Sequence, residues 1–210
     1  MPFASRIAAF LLLPLLAACA IPEAPSTDPR LKALTARLPV ELGGFKLLDG
    51  ALHPNQPNAL GLRYAHAPSG TVALVGLITP DGTMIPDGPG STPVELTVNI
   101  LSLAAQASLG GAGLTRRPDF GGARTGQPPE VRCSDLQVRQ ADAAHYVVIC
   151  ATGIGGGIVT INMIVQQALD AGNLPRQFML NFALNVVQAL RSDATEAPAA
   201  PAIQGPVYRL

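Results

Sequence analysis

The sequence predicts an α+β domain, an antiparallel sheet with two main helices packed on it. Three observations predict this. Short strand-like apolar runs lie within residues 45–79 and 131–165. Helical apolar spacing occupies 92–109 and 175–191. Turn-forming Pro, Gly and Asp separate the two kinds of segment. The order strands, helix, strands, helix is that of helices set on an antiparallel sheet.

Each element has its own signal. Asp28-Pro29 starts a short helix through Arg37, with Asp as N-cap and Pro at the first helical position. Its Leu31, Leu34 and Leu38 then face the core. Phe45 to Leu48 reads as a strand. Leu62, Tyr64 and His66 alternate with Arg63 and Ala65, a half-buried strand. Thr71 to Thr79 is a denser apolar run and reads as a central strand, ended by Pro80-Asp81-Gly82 as a turn. A second Pro-Asp-Gly follows at 86–88, inside a loop spanning 83–91. Thr92-Pro93-Val94-Glu95 is a capping box that opens a helix, which Gly110-Gly111 ends. Glu95, Asn99, Ser102 and Gln106 make one polar stripe, and the apolar remainder predicts a mostly buried helix. Residues 112–129 read as a weak strand and a loop. Val131 to Arg139, Ala144 to Thr152 and Gly157 to Val165 are clearer strands. The last helix runs from Pro175 to Arg191. Phe178, Phe182, Val186 and Leu190 point inward, and Arg176, Gln177, Asn181, Asn185 and Gln188 lie on the outer face.

The 210 residues carry 14 Lys+Arg and 14 Asp+Glu, a formal net charge of zero. Phosphate backbones are bound through a basic footprint that this chain lacks, which excludes a general nucleic-acid role. The 48% hydrophobic content excludes a wholly disordered chain.

Part of that hydrophobic content is a targeting segment. Arg6 is the only charge before Cys19, Ile7 to Leu16 are apolar except for Pro14, and the small residues Ala17 and Ala18 follow. This is the pattern of a secretory signal, and the run falls short of the ~20 residues that a spanning helix needs. Leu16-Ala17-Ala18-Cys19 resembles the lipobox of bacterial lipoproteins. The resemblance implies cleavage before Cys19, diacylglycerol on its sulfur and an acylated amine; the alternative is an ordinary signal cut after Ala18 or Ala20. Two or more buried acyl chains give stable anchoring at about 0.8 kcal/mol per CH₂. Ala20 in the following position implies the periplasmic face of the outer membrane, because Asp there favours retention at the inner one. The domain plan is then signal peptide 1–18, lipidated tether 19–28, one globular domain 29–192, and a disordered Ala/Pro-rich tail 193–210. Within that tail Val207 to Leu210 read as a frayed end, with a docking peptide as the alternative.

Cys133 and Cys150 remain, in an oxidising compartment. Their midpoint lies between Ala141 and Asp142, so a two-residue turn there pairs Cys133 with Cys150 across a hairpin. This predicts a structural disulfide, although Ala-Asp is a poor hairpin turn. No Cys-x-x-Cys pair points to redox catalysis.

The strand and helix order looks like the PsbP-like fold of small periplasmic and lumenal proteins. Gly61-Leu62-Arg63-Tyr64 and Ile85-Pro86-Asp87-Gly88-Pro89 also resemble uncharacterised bacterial secreted proteins. These resemblances imply a fold and carry no catalytic residue.

Motifs with chemical meaning are few. Gly153-Ile154-Gly155-Gly156-Gly157 is followed by a strand-like segment instead of the helix that a phosphate loop needs, so it reads as a hairpin connection. Asp119-Phe120-Gly121 matches a kinase motif without its companions. His53, His66 and His145 are scattered and show no metal-ligand spacing. Asp135 and Asp142 are carboxylates that nothing in the sequence places in a cleft, and Arg116-Arg117 reads as a solvated loop. No catalytic, metal or cofactor site is expected. The sequence favours a non-catalytic module that binds an envelope partner or maintains the envelope, attached to the membrane through Cys19. The alternatives are a carrier holding an apolar ligand between sheet and helices, and an enzyme whose residues are dispersed.

Overall fold

Strands with one apolar face and strands with two make different demands on their neighbours, and that difference lays out this molecule. The computed structural model describes residues 28–53, 56–80, 82–109, 114–139, 144–167, 174–192 and 207–209. Its elements are α1 (Pro29–Ala36), β1 (Glu41–Leu42), β2 (Phe45–His53), β3 (Gln56–His66), β4 (Thr71–Ile78), α2 (Thr92–Leu109), β5 (Leu114–Arg116), β6 (Phe120–Ala123), β7 (Val131–Arg139), β8 (Ala144–Ile154), β9 (Gly157–Gln167), α3 (Leu174–Arg191) and β10 (Val207–Arg209). One open sheet has the order β1-β2-β3-β4-β9-β8-β7-β6-β10, with β5 pairing β7 off that path. Its pairings are antiparallel, apart from β10, which runs parallel to β6. The α+β class expected from sequence is what the chain adopts.

β8 is buried on both faces, which explains its near-continuous apolar run. Cys150 and Val148 join the core beneath α1 and α3. Ile149 and Val147 face the other way, and α2 packs there with Leu101, Ala105 and Leu109. The helices therefore lie on opposite faces of the sheet, giving three layers. β4 alternates instead: Thr71, Ala73, Val75 and Leu77 are buried, while Val72 and Leu74 are exposed on the face that α2 leaves open.

The interlayer under α3 is filled by side chains. Phe182 lies 4.1 Å from the Phe45 ring and 5.7 Å from the Tyr64 ring, centroid to centroid. Met179, Ala183, Val186, Val187 and Leu190 complete the buried face of the helix. Each large side chain buried here contributes roughly 1.5–3 kcal/mol.

The expected start of α1 is observed: Asp28 caps it, accepting from Arg30 N–H at 2.8 Å, and Leu31, Leu34 and Leu38 are buried. Three expectations need correction. Residues 112–129 hold two strands, and β6 is Phe-Gly-Gly-Ala, whose pairing with β7 overrides its weak strand propensity. β2 and β3 extend well beyond the expected short strands because each ladders onto the other. Val207–Arg209, placed in the expected disordered tail, form β10; the sheet edge at β6 supplies hydrogen bonds that the local sequence does not advertise. Residues 193–206 of that tail, with the signal segment and most of the tether, lie outside the described residues.

Candidate functional site

Cys19 and Ala20 lie outside the described residues, as do Asp142 and the turn between β7 and β8. Cys133 and Cys150 sit opposite each other in the β7–β8 register, with S–S 2.04 Å. His53 is in β2 and His145 in β8, paired with Val138. His66 ends β3, where its Nδ1 accepts from Ser69 N–H at 3.3 Å and lies 2.8 Å from Ser69 Oγ. That is a cap on the following turn. Its ring packs on Phe45 and Phe178. Among the described residues no cluster of His, Cys, Asp and Glu is placed to hold a metal ion, and no helix is long and apolar enough to cross a membrane.

The glycine segment is a tight hairpin. Gly155 and Gly156, at φ +58° and +79°, form the two-residue turn between β8 and β9. Both central residues of such a turn need positive φ, which glycine supplies without steric cost. The loop after β4 lies directly across it. Ile85 N–H donates to Gly156 O at 3.1 Å, Gly88 and Gly153 exchange two bonds of 2.9 Å, and Asp87 Oδ1 accepts from Gly155 N–H at 2.9 Å. A Cβ on Gly153 would stand 2.0 Å from Pro86 O. Gly153 thus admits a close backbone approach from the chain's own Ile85–Gly88 loop.

The α2 layer departs furthest from expectation. Val94, Val98 and Ser102 face the sheet and are fully buried. Leu96, Ile100 and Leu103 point away from it, at 53%, 64% and 61% exposure. The expected mostly buried helix is instead an outer layer, with nothing over it among the described residues. Ser102, expected on the polar stripe, is at its inner side. Glu95 and Asn99 form one flank with a charged network. Glu95 pairs Arg132 at 3.2 Å, Asn99 accepts from Arg116 at 2.9 Å, and Asp119 bridges Arg116 at 2.9 Å and Arg132 at 3.7 Å. Arg116 also donates to Ser134 Oγ, so it is built into this flank and does not sit in the solvated loop expected of it. On the same face of the sheet Ile164 packs against the Leu136, Val147 and Ile149 cluster that α2 covers, and Val72 lies beside it in β4. Leu96, Ile100 and Leu103 form a ridge along α2, and Val72 and Leu74 are exposed on the sheet face that the helix leaves open. The apolar content of α2 was legible in the sequence; its outward placement depends on a third layer that no local pattern reveals.

At the opposite face of β7, Asp135 is buried and holds Arg176 of α3, whose Nε donates to Asp135 Oδ2 at 2.8 Å. Arg176 was expected on the outer face of α3; the carboxylate beneath it turns it inward. Arg176 Nη1 also donates to Tyr208 of β10 at 2.8 Å. Its guanidinium lies over the Phe120 and Tyr208 rings at 5.1 and 4.9 Å.

Among the described residues, two groups titrate away from their ordinary ranges. The side-chain hydrogen bonds of Arg30, with its backbone N–H, lower Asp28 to about 2. Burial raises the Tyr64 phenol, which donates to Pro39 O at 2.9 Å.

The sequence matches no protein-family model and no curated protein.

Proposed function

We propose that this chain is a lipid-anchored binding module of the bacterial envelope, attached through Cys19 and engaging an envelope protein through the outer face of α2. The carrying observation is the ridge of Leu96, Ile100 and Leu103 at i, i+4 and i+7, with Val72 and Leu74 also exposed on the sheet face that α2 leaves open. Exposed apolar side chains grouped on one helix face beside charged residues are the mark of an interaction surface. The signal pattern ending at Cys19 supports the anchor, and Ala20 supports the periplasmic face of the outer membrane. The two helices and antiparallel sheet are compatible with a PsbP-like arrangement.

The test is in-cell crosslinking of the tagged full chain, followed by mass spectrometry, for wild type and Ile100→Asp. Ile100 is 64% exposed, so this exposed change is expected to alter stability by within about 0.5 kcal/mol. The expected result is a reproducible partner whose yield falls at least tenfold in the variant. An empty wild-type result, or an unchanged yield, would sink the reading.

A further inference from the structure

The β6 edge lies apart from the α2 face and has features of its own. A sheet edge presents unpaired N–H and C=O groups and is usually blunted by Lys, Pro, a bulge or a covering segment. Phe120–Ala123 contains no Lys and no Pro, and its glycines present little side chain. The chain covers this edge with three of its own residues, Val207, Tyr208 and Arg209, paired in parallel with Gly121, Gly122 and Ala123.

The seat for the central side chain is built by residues outside that strand. Phe120 is 1% exposed and belongs to the core. Arg176 is held from below by Asp135, with side-chain exposures of 12% and 6%. The two present an aromatic face and a fixed guanidinium to whatever lies on β6. Tyr208 meets both: its ring is edge-on to Phe120 at 5.1 Å, and its hydroxyl accepts from Arg176. Ring, hydroxyl and extended backbone are each recognised by a different part of the seat. By contrast, the occupant is slight. It is three residues long, parallel, and Tyr208 remains 40% exposed. Parallel pairing is somewhat weaker per residue than antiparallel pairing.

We propose that the β6 edge is a strand-addition site for an extended partner segment bearing a tyrosine-like side chain, and that the chain's own Val207–Arg209 holds it closed until such a segment displaces it. Backbone hydrogen bonds supply affinity in this mode of recognition, and the pocket for the alternate side chain supplies specificity. The covering strand is joined to α3 by residues 192–206, so it competes as an intramolecular ligand. An intramolecular ligand competes at an effective concentration set by its tether. A partner must therefore bind better than the native strand or arrive at high local concentration.

The test uses the full chain and a fluorescent peptide with the sequence of Gln204–Leu210. Binding is measured by anisotropy to wild type and to Tyr208→Ala, in which the covering strand has lost its anchor. The expected result is at least tenfold tighter binding to the variant, lost when the tyrosine of the peptide is replaced by alanine. Hydrogen exchange at Gly121–Ala123 is expected to quicken in the variant and to slow again on adding peptide. Equal binding to both chains, binding that ignores the tyrosine, or no binding to the variant at millimolar peptide would overturn the proposal. So would a wild-type dimer that Tyr208→Ala dissolves, because the occupant would then be a second copy. None of these readouts involves the α2 face.

Discussion

Replacing Gly153 by alanine tests the close approach of the Ile85–Gly88 loop to the β8–β9 hairpin. Gly153 is absent from the positive-φ glycines, so the substitution acts through contact alone. The new Cβ would meet Pro86 O at 2.0 Å, Pro86 C at 3.0 Å and Ile85 Cγ2 at 3.3 Å. The first two are backbone atoms, so no rotamer change relieves the clash and the loop itself must lift. Lifting it breaks the two Gly88–Gly153 bonds of 2.9 Å, at about 1 kcal/mol each. It also loosens Ile85 from Val94, Val98, Ala151 and Ile158, for about another 1 kcal/mol when part of its burial is lost. The expected loss is thus about 2–4 kcal/mol, or roughly 5–15 °C in Tm for a domain of this size. Urea unfolding should show a lower midpoint at unchanged slope. Gly61→Ala is the control: its Cβ meets only Leu74 Cδ1, at 3.5 Å, and the chain should be unchanged or slightly stabilised. A Gly153→Ala loss below about 0.5 kcal/mol, matching the control, would refute the reasoning.

Two further outcomes are expected. Reducing the Cys133–Cys150 bond, which closes a loop of sequence separation 17, should cost about 3 kcal/mol in the chain-entropy model; thermal melts with and without reductant should differ by roughly 6–12 °C, and coincident melts would count against a bonded pair. Asp28 is lowered from 3.8 to about 2, so the folded state binds its proton more weakly than the unfolded chain. Its contribution is then complete above pH 3.8 and disappears as pH falls through about 2. Urea melts across that window should show a shallower pH dependence for Asp28→Asn than for wild type, and parallel curves would contradict the assignment.

The legible parts of the fold are those whose information is local. α3 shows its buried face at helical spacing, and β7 and β8 show theirs as apolar runs. Counting outward from one turn also reaches the Cys133–Cys150 register. The illegible parts depend on partners distant in sequence. β6 contains Gly121 and Gly122 and becomes a strand because β7 and β10 flank it. Arg176 has the spacing of an outer-face residue, yet Asp135, 41 positions earlier, draws it inward. For α2 the periodicity reports which residues are apolar but not how many layers lie above the helix. The candidate surface was missed for that reason: an apolar helix in an outer layer has the same sequence as one in a core.

The scarcity of charge bears on what the α2 ridge can do. Most described carboxylates are matched inside the molecule: Asp28 with Arg30, Asp49 with Arg63, Glu130 with Arg124 and Arg191, Asp135 with Arg176, and Glu95 and Asp119 with Arg132. Within α2 only Glu95 is charged, and it lies on the flank. Scattered exposed leucines are ordinary on a protein surface, but an outer helix normally carries its charges on the solvent side, where α2 carries Leu96, Ile100 and Leu103. Burying these three from their present exposure would contribute about 3–5 kcal/mol, scaling 1.5–3 kcal/mol per side chain by the exposed fraction. Association in free solution costs an estimated 4–15 kcal/mol in lost translation and rotation, so the ridge alone would make a weak complex there. Holding both partners at one membrane lowers that cost, as a tether does by raising effective concentration. An uncharged, modest apolar face is therefore suited to a partner in the same envelope layer. On the proposed anchoring, Cys19→Ala should abolish the crosslinked complex even with the α2 face intact, and a complex that persists at full yield in the variant would refute this dependence.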